Sequence, residues 1–461
     1  MRKTTITALL SVTMMLGSCG IYNKYERPDI NTDGIIRDNI ADAGTAEPAD
    51  TASFGNLPWR EVFTDPLLQN LIQQGMEHNV NMMNAALNVK MVEAQLSAAK
   101  LAFVPQFTFT PQATVSSWDF GKATQTYSLP VNASWTIDLF GNLLNQKRSA
   151  QMALLATKDY QLVVKTQVVS GIANLYYTLL MLDRQLEIIN EMAVLTKDTW
   201  DVMKMQMELG RYRSTSVQSA EAAHYSVLAK AEDMKRQIRE TENALSILIG
   251  QPAQTVERGK LADQSLPTEF ATGVGLQLLA NRADVHHAEM TLATCFYDVN
   301  TARSRFYPNI TISGSGAYTN NGGGRIVNPG KILSSALASL VQPIFMNGQL
   351  KAGLVVAQAK YEQAYNNWQN MIFQAGSEVS NALVKYNSNA AKSELDAHQV
   401  EVLKLNVEHS KMLVSQSSST YLEVIQAQSS LLNAEIAQIT DDFNKMQAVV
   451  SLYQALGGGV R

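Results

Sequence analysis

Side chains able to make or break bonds are few in this chain, and their spacing excludes most chemistry. There are six histidines and two cysteines in 461 residues. His286 and His287 are adjacent, so on a helix they point about 100° apart and are poorly placed to share a metal ion. His78, His224, His398 and His409 are scattered and are expected at solvated helix positions. No nucleophile elbow, phosphate-binding loop, His-Glu-x-x-His pair or Cys-x-x-Cys motif occurs. The glycine runs at Gly322 and Gly457 lack a following Lys-Ser/Thr and are expected to be loop and tail. A catalytic site, a metal site and a cofactor site are therefore not expected. A formal net charge of -4 without a Lys/Arg stripe argues against a nucleic-acid partner.

The two cysteines have different prospects. Met1-Arg2-Lys3, an apolar stretch from Ile6 to Leu16 and a small-residue ending form an export signal, residues 1–18. Its Leu16-Gly17-Ser18-Cys19 ending resembles a bacterial lipobox, which implies cleavage before Cys19 and lipidation of its sulfur. Gly20 then follows in place of the aspartate that often retains lipoproteins at the inner membrane, which implies outer-membrane sorting. Cys295 is left alone, has no disulfide partner, and is expected to be a small buried hydrophobe among Leu292, Ala293 and Phe296. Beyond the signal no run of about 18 apolar residues exists, so a bilayer could be crossed only by strands.

The elements that carry these residues come in two series. Residues 19–58 are expected to be an extended tether. A helix is expected from Asp65-Pro66 to about Phe103, stopped by Pro105. A strand pair over 106–140 follows: Phe107 to Thr110 alternate, and Leu129, Val131, Ala133, Trp135, Ile137 and Leu139 alternate against polar partners. From about Leu143 to Leu209 there is no proline, which at about 1.5 Å per residue predicts a rod on the order of 100 Å long. A Gly210 turn and a second helix to about Ile249 complete a hairpin over 142–250. After a connector, 251–274, the order recurs over 275–457: a helix, a strand pair over 309–346 and a hairpin over 348–457, leaving 458–461 as a tail.

Landmarks repeat at an offset of about 207 positions. They include Gly141 with Gly348, Glu187 with Glu394, Ala220 with Ala427 and Gly250 with Gly457. Two copies of a strand-strand-hairpin unit predict a mostly α chain with transmembrane β-strands. Four strands cannot close a barrel, which needs about eight, and an open edge cannot face lipid. The chain must then oligomerise; two copies give a narrow filled barrel and three a wider one of about twelve strands, so a conduit favours a trimer. Trp118, Tyr127, Trp135, Tyr307 and Tyr318 fall near strand ends, where interfacial aromatic girdles form. The competing reading is a periplasmic lipoprotein scaffold or adaptor built as a coiled coil, which needs sustained heptads and no strand pairs.

The order of several short motifs resembles the TolC-type outer membrane efflux factors, in their OprM-like lipoprotein branch. They are Trp59, Phe63, Asp65-Pro66, Leu67 and Leu71; Asn281-Arg282-Ala283-Asp284-Val285; Gln342-Pro343-Ile344-Phe345 before Gly348; and Tyr421-Leu422-Glu423-Val424-Ile425-Gln426-Ala427-Gln428. The resemblance implies a homotrimer with a shared twelve-stranded β-barrel in the outer membrane and an α-helical barrel in the periplasm. It also implies a periplasmic adaptor (membrane fusion protein) and an inner-membrane pump of RND type, for which the duct is the passive exit. By the same resemblance Glu423 and Gln426 stand where acidic residues close the periplasmic aperture, with Gln426 in place of a frequent aspartate. Glu423 equally suits a helix N-terminus, where a carboxylate complements the dipole. The adaptor-contacting turns implied are Gly210, Arg211, Tyr212 and Arg213 in one hairpin and Ser417, Ser418 and Thr420 in the other.

Overall fold

Asp65 opens the first substantial helix: its Oδ1 accepts from the Leu67 amide at 2.8 Å, and Pro66 occupies the first helical position. The computed structural model describes residues 22–30, 35, 54–117, 119–266, 282–320, 331–415 and 421–459. Cys19, Trp118, the start expected for the second repeat and the Gly322 run lie outside the described residues. After a short α1 (Trp59–Val62), α2 spans Pro66–His78 and α3 spans Val80–Leu101. The single helix expected from Asp65 to Phe103 is thus broken at Asn79. Asn79 takes extended backbone angles, and its Oδ1 accepts from the Asn81 and Met82 amides at 2.8 and 3.1 Å. An asparagine that bonds its own backbone competes with the helix ladder, and hydrophobic spacing does not register that competition.

Four lanes of strand follow. β1 (Gln106–Phe109) and β2 (Gln112–Ser116) pair in succession with β3 (Thr124–Ile137), so they are one lane interrupted at Thr110-Pro111. Proline cannot donate to a ladder, which is why the break falls there and on an edge. β3 pairs with β4 (Asn309–Thr319), and β4 with β5 (Lys331–Val341), all antiparallel. The strand expected to reach Phe345 ends at Val341, just before Gln342-Pro343.

The helical hairpins are α4 (Asn142–Glu208) with α5 (Ser214–Leu248), and α7 (Gln349–Ser415) with α8 (Tyr421–Ala455). α6 (Ala283–Ser304) precedes β4. α4 and α7 each have 67 residues, α5 and α8 each have 35, and α3 and α6 each have 22. The hairpin bounds keep the offset seen in the sequence. Gly141 and Gly348 share a positive φ of 70° and 79°, and Gly250 and Gly457 one of 75° and 81°. These are left-handed corners, where glycine avoids the strain of a Cβ.

Contacts divide the chain into two units. One holds the strands with residues 88–158 and 287–370, together with the tether residues up to 30. There Arg27 pairs with Glu289 at 2.7 Å and lies over the Trp368 ring, while Tyr25 packs edge-on to Phe296. The other unit holds residues 31–87, 159–286 and 371–461. Its core joins Phe63, Leu68 and Ile72 to Ile172, Tyr176, Leu180 and Tyr453, all under 2% exposed. The two hairpin ends are joined to the preceding helices in matching ways. Asn79 Nδ2 donates to the Leu248 carbonyl at 2.7 Å, and Arg282 Nη1 donates to the Ala455 carbonyl at 2.9 Å. Each bond satisfies a carbonyl left open at a helix C-terminus.

A Cβ at Gly250 would overlap the His78 carbonyl oxygen, whereas one at Gly210 meets nothing within 4 Å. Both glycines have positive φ, so Gly210→Ala is expected to cost about 1 kcal/mol and Gly250→Ala at least about 2 kcal/mol more, read as a difference in denaturation midpoints. Equal losses would show that the packed corner does not hold the hairpin.

Candidate functional site

The first functional surface is the sheet. Because side chains alternate along a strand, the register decides which ones share a face. Ile310 lies between Ile137 and Leu340, Ile312 between Trp135 and Ala338, Gly314 between Ala133 and Ala336, and Tyr318 between Leu129 and Ile332. Phe107 and Phe109 join this face opposite Ala133 and Val131. One side of the sheet is therefore apolar across every lane. On the other side Thr311 lies between Thr136 and Ser339, and Ser315 between Asn132 and Ser335. Ser315 and Ser335 hydroxyls bond at 2.8 Å, and Asn132 Nδ2 donates to Thr110 Oγ1 at 3.2 Å. β5 departs from the pattern, with Leu337 opposite Ser313 on the polar side.

Among the described residues the outer lanes have no further strand beside them: the order runs from β1 and β2 through β3 and β4 to β5. Their apolar side chains are open, Phe107 at 71% and Ile332 at 82% exposure. Aromatic rings gather at both ends of the strands. Tyr127 and Tyr318 pair at one end, 6.2 Å between centroids, and Phe140 stacks on Tyr307 at 5.1 Å at the other. Trp135 Nε1 donates to the Phe103 carbonyl at 2.9 Å.

The second surface is where the hairpins turn. α4 closes with Gly210 at φ 74°, its amide donating to the Met207 carbonyl at 2.9 Å, and the Arg211 amide donating to the Gln206 carbonyl at 3.0 Å. Tyr212 then meets Tyr421 of the other hairpin edge-on, with ring centroids 5.1 Å apart. Burial, then the neighbouring Tyr212, pushes the Tyr421 hydroxyl pKa up. Met203, Val217 and Ala220 form the small core beneath, with Trp200, Met207, Tyr421 and Ile425 against it. Around it Met205, Leu209 and Leu422 are more than 60% exposed. Arg211 and Arg213 are exposed too, and Ser417, Ser418 and Thr420 lie outside the described residues.

Glu423 and Gln426 sit one turn apart at the start of α8, both exposed, while Val424, Ala427 and Gln428 between and beyond them are buried. The structure thus brings the two together on one outward face. Gln428, not singled out from the sequence, donates to Thr199 Oγ1 at 2.9 Å while fully buried, tying α8 to α4. Two helix turns before it, Tyr421 holds the seat that Ser214 takes at the start of α5, an asymmetry visible in the repeat. His224 corrects the expectation of a solvated histidine. It is 8% exposed and faces Thr196 Oγ1 through Nδ1 at 3.3 Å, because hairpin packing covers that face of α5. His286 and His287 take separate partners, the Asp159 carboxylate at 2.6 Å and the Ala156 carbonyl at 2.7 Å. Cys295 is half-buried, not fully buried, and burial pushes its thiol pKa up, which suppresses the thiolate.

Two polar knots clasp the connector to the helices. Arg258 bonds Asp183 at 2.5 and 3.0 Å and the buried Glu242 at 2.6 Å, which holds the guanidinium above its usual pKa through the Asp183 bonds. Asp65 accepts from Tyr176 at 2.5 Å and Gln264 at 2.8 Å, and the Gly259 amide donates to the Tyr176 hydroxyl at 3.0 Å. Burial would raise the Asp65 carboxyl, but these bonds and the Leu67 amide outweigh it and hold the pKa below the ordinary value. Arg282 binds Asp284 at 2.6 and 3.0 Å and Glu378 at 2.7 Å. Asp65 and the Arg282–Asp284 pair are the polar members of two motifs quoted above, and both are structural.

The model of the family described as outer membrane efflux protein matches residues 71–251 and 275–458, once for each half. The cation efflux system protein CusC of Escherichia coli strain K12 is 25% identical over 455 residues, covering 97% of this chain and 98% of that protein. The probable outer membrane lipoprotein SilC of Salmonella typhimurium is 23% identical over 465 residues, covering 100% and 99%. A crystal structure of CusC superposes with a TM-score of 0.85 at 23% identity, over 95% of this chain and 100% of that one.

Tyr212→Ala is expected to remove about 1 kcal/mol of ring contact at the hairpin turn. Limited proteolysis should then cut near Arg211 and Arg213 several-fold faster than in the unaltered protein, and an unchanged rate would show that the Tyr212–Tyr421 contact does not order the turn.

Proposed function

The chain belongs to the outer membrane efflux protein family and is an outer-membrane efflux duct, not an enzyme, and we propose that it works as a lipid-anchored homotrimer with a shared twelve-stranded barrel. The observation that supports this reading is the four-lane sheet with one apolar face and two edges that no described strand pairs. In lipid each unpaired backbone group costs several kcal/mol, so edges must be matched. Joining β5 of one copy to the β1 and β2 lane of the next closes the ring, and three copies bring four lanes each to about twelve. Strands of 11 residues such as β4 and β5 reach about 36 Å, or about 28 Å when tilted, which matches an outer-membrane apolar band of about 25 Å. No described helix is long and apolar enough to cross a membrane.

In this arrangement the aromatic pairs Tyr127–Tyr318 and Phe140–Tyr307 are the two interfacial girdles, and Cys19 carries the lipid. The serine, threonine and asparagine face lines the bore. A neutral bore selects weakly, so the choice of cargo falls to the inner-membrane pump, of RND type, and to the periplasmic adaptor. The adaptor docks on the exposed apolar and basic rim made by Met205, Leu209, Leu422, Arg211 and Arg213, together with Gly210, Tyr212 and the opposite turn at Ser417, Ser418 and Thr420. Glu423 and Gln426 face the narrow end of the helical barrel and help to close it.

Glu423→Ala is expected to raise resting conductance in planar bilayers by at least about twofold, since three copies lose a carboxylate at one constriction. Unchanged leak would assign Glu423 to the helix N-terminus alone.

A further inference from the structure

A charged cluster bridges the middle of α7 and α8. Lys392 Nζ reaches both oxygens of Asp441, at 2.8 and 2.7 Å, and Ser393 Oγ donates to Asp442 at 2.5 Å. Asp441 is buried, its side chain 7% exposed. Asp396 stands one turn from Lys392 on the same face of α7, and its carboxyl meets that of Asp441. Its Oδ2 is buried without a hydrogen-bond partner. Two ionised carboxylates are both acceptors and repel, so a proton on one supplies the missing donor.

The internal repeat serves as a control for what the fold requires here. One repeat earlier the same three positions are Gln185, Ile189 and Met234. Ile189 is 1% exposed in the core between the hairpins, and Met234 packs against that core. The first hairpin is therefore held at this level by apolar packing. The second has replaced it with a lysine and two carboxylates, which packing alone does not demand.

We propose that Lys392, Asp396 and Asp441 form a proton-operated latch on the α7–α8 seam, closed while one proton is held between the two carboxylates and loosened when that proton leaves. Burial first, and then Asp441, raises the Asp396 pKa. Burial would also raise Asp441, but Lys392 and Asp396 bond it and hold it low. A carboxyl raised in the folded state binds more protons folded than unfolded, so its contribution is present at lower pH and is lost as pH rises through the folded value. Asp441 acts in the opposite sense and fails only when strong acid protonates it and frees Lys392. The seam is tightest between these limits.

The other charged groups around the latch have partners of their own. On α7, His398 and Glu401 form an exposed pair at 4.0 Å. On α8, Asp442 accepts from Ser393, and Lys445 lies over the Tyr386 ring at 5.9 Å. α4 contributes neutral Gln185 to Thr440 at 3.0 Å, with Arg184 paired to Glu187 and Asp183 to Arg258.

Hydrogen exchange of the full-length protein in detergent, corrected for the intrinsic rate, tests the latch over residues 385–400 and 434–448. From about pH 4, near the ordinary aspartate value, to about pH 8 the wild-type seam is expected to lose protection about tenfold. Asp396→Asn supplies a fixed neutral donor and should stay protected with no pH slope. The triple variant K392Q/D396I/D441M copies the first hairpin and should also be flat, which keeps the test decisive if the single variant fails to fold. A flat wild-type profile, or a wild-type slope surviving in either variant, would overturn the latch. These outcomes are independent of conductance and of the number of copies.

Discussion

Backbone pairing at the sheet edges is the constraint on which the rest of this molecule depends. A strand in water can leave one side of its ladder to solvent, but a strand in lipid cannot. The four described lanes have an apolar face suited to lipid and edges that are not, and the proposed joining of copies supplies what those edges lack. Strand lengths suit the apolar thickness of an outer membrane, and each helical hairpin has arms of 67 and 35 residues. The repeat is economical in this setting, because one unit of wall can be used twice in each copy.

The polar knots hold the connector and the helix ends in place. Arg258 and Asp65 fasten the connector, while Arg282 and Asn79 seal the ends of α8 and α5. These contacts sit far from the hairpin turns in sequence, and the proposed opening leaves them unchanged. Near the turns the described links include an edge-on tyrosine pair, a small apolar core and one buried glutamine bond. The aperture proposed above requires a low local opening free energy at these turns. In the proposed function, partners that open it need only bind the open arrangement better than the closed one.

Much of the architecture was legible in the sequence, for particular reasons. Proline-free runs and paired glycines marked the hairpins because Gly141, Gly210 and Gly250 take backbone angles that other residues avoid. Alternation in β3 disclosed the two faces because a sheet solvated differently on its two sides must alternate. The break at Asn79 was hidden, since the apolar spacing continues through it and only the side-chain bonds to Asn81, Met82 and Leu248 show it. The seats of His224 and Gln428 were hidden for a related reason: both are polar residues covered by α4, which packs against them from elsewhere in the chain. The outward face shared by Glu423 and Gln426 was readable from their spacing, but the tyrosine contact beside it joins two hairpins and leaves no periodic trace.

The central claim is that separate copies complete one barrel by edge-to-edge pairing. The most direct test places single cysteines along the β1 and β2 lane and along β5, oxidises the protein in native membranes, and sizes the products. Paired positions on the two lanes should link different chains into a ladder that stops at three. Links formed only within one chain, or a ladder ending at another number, would contradict the account.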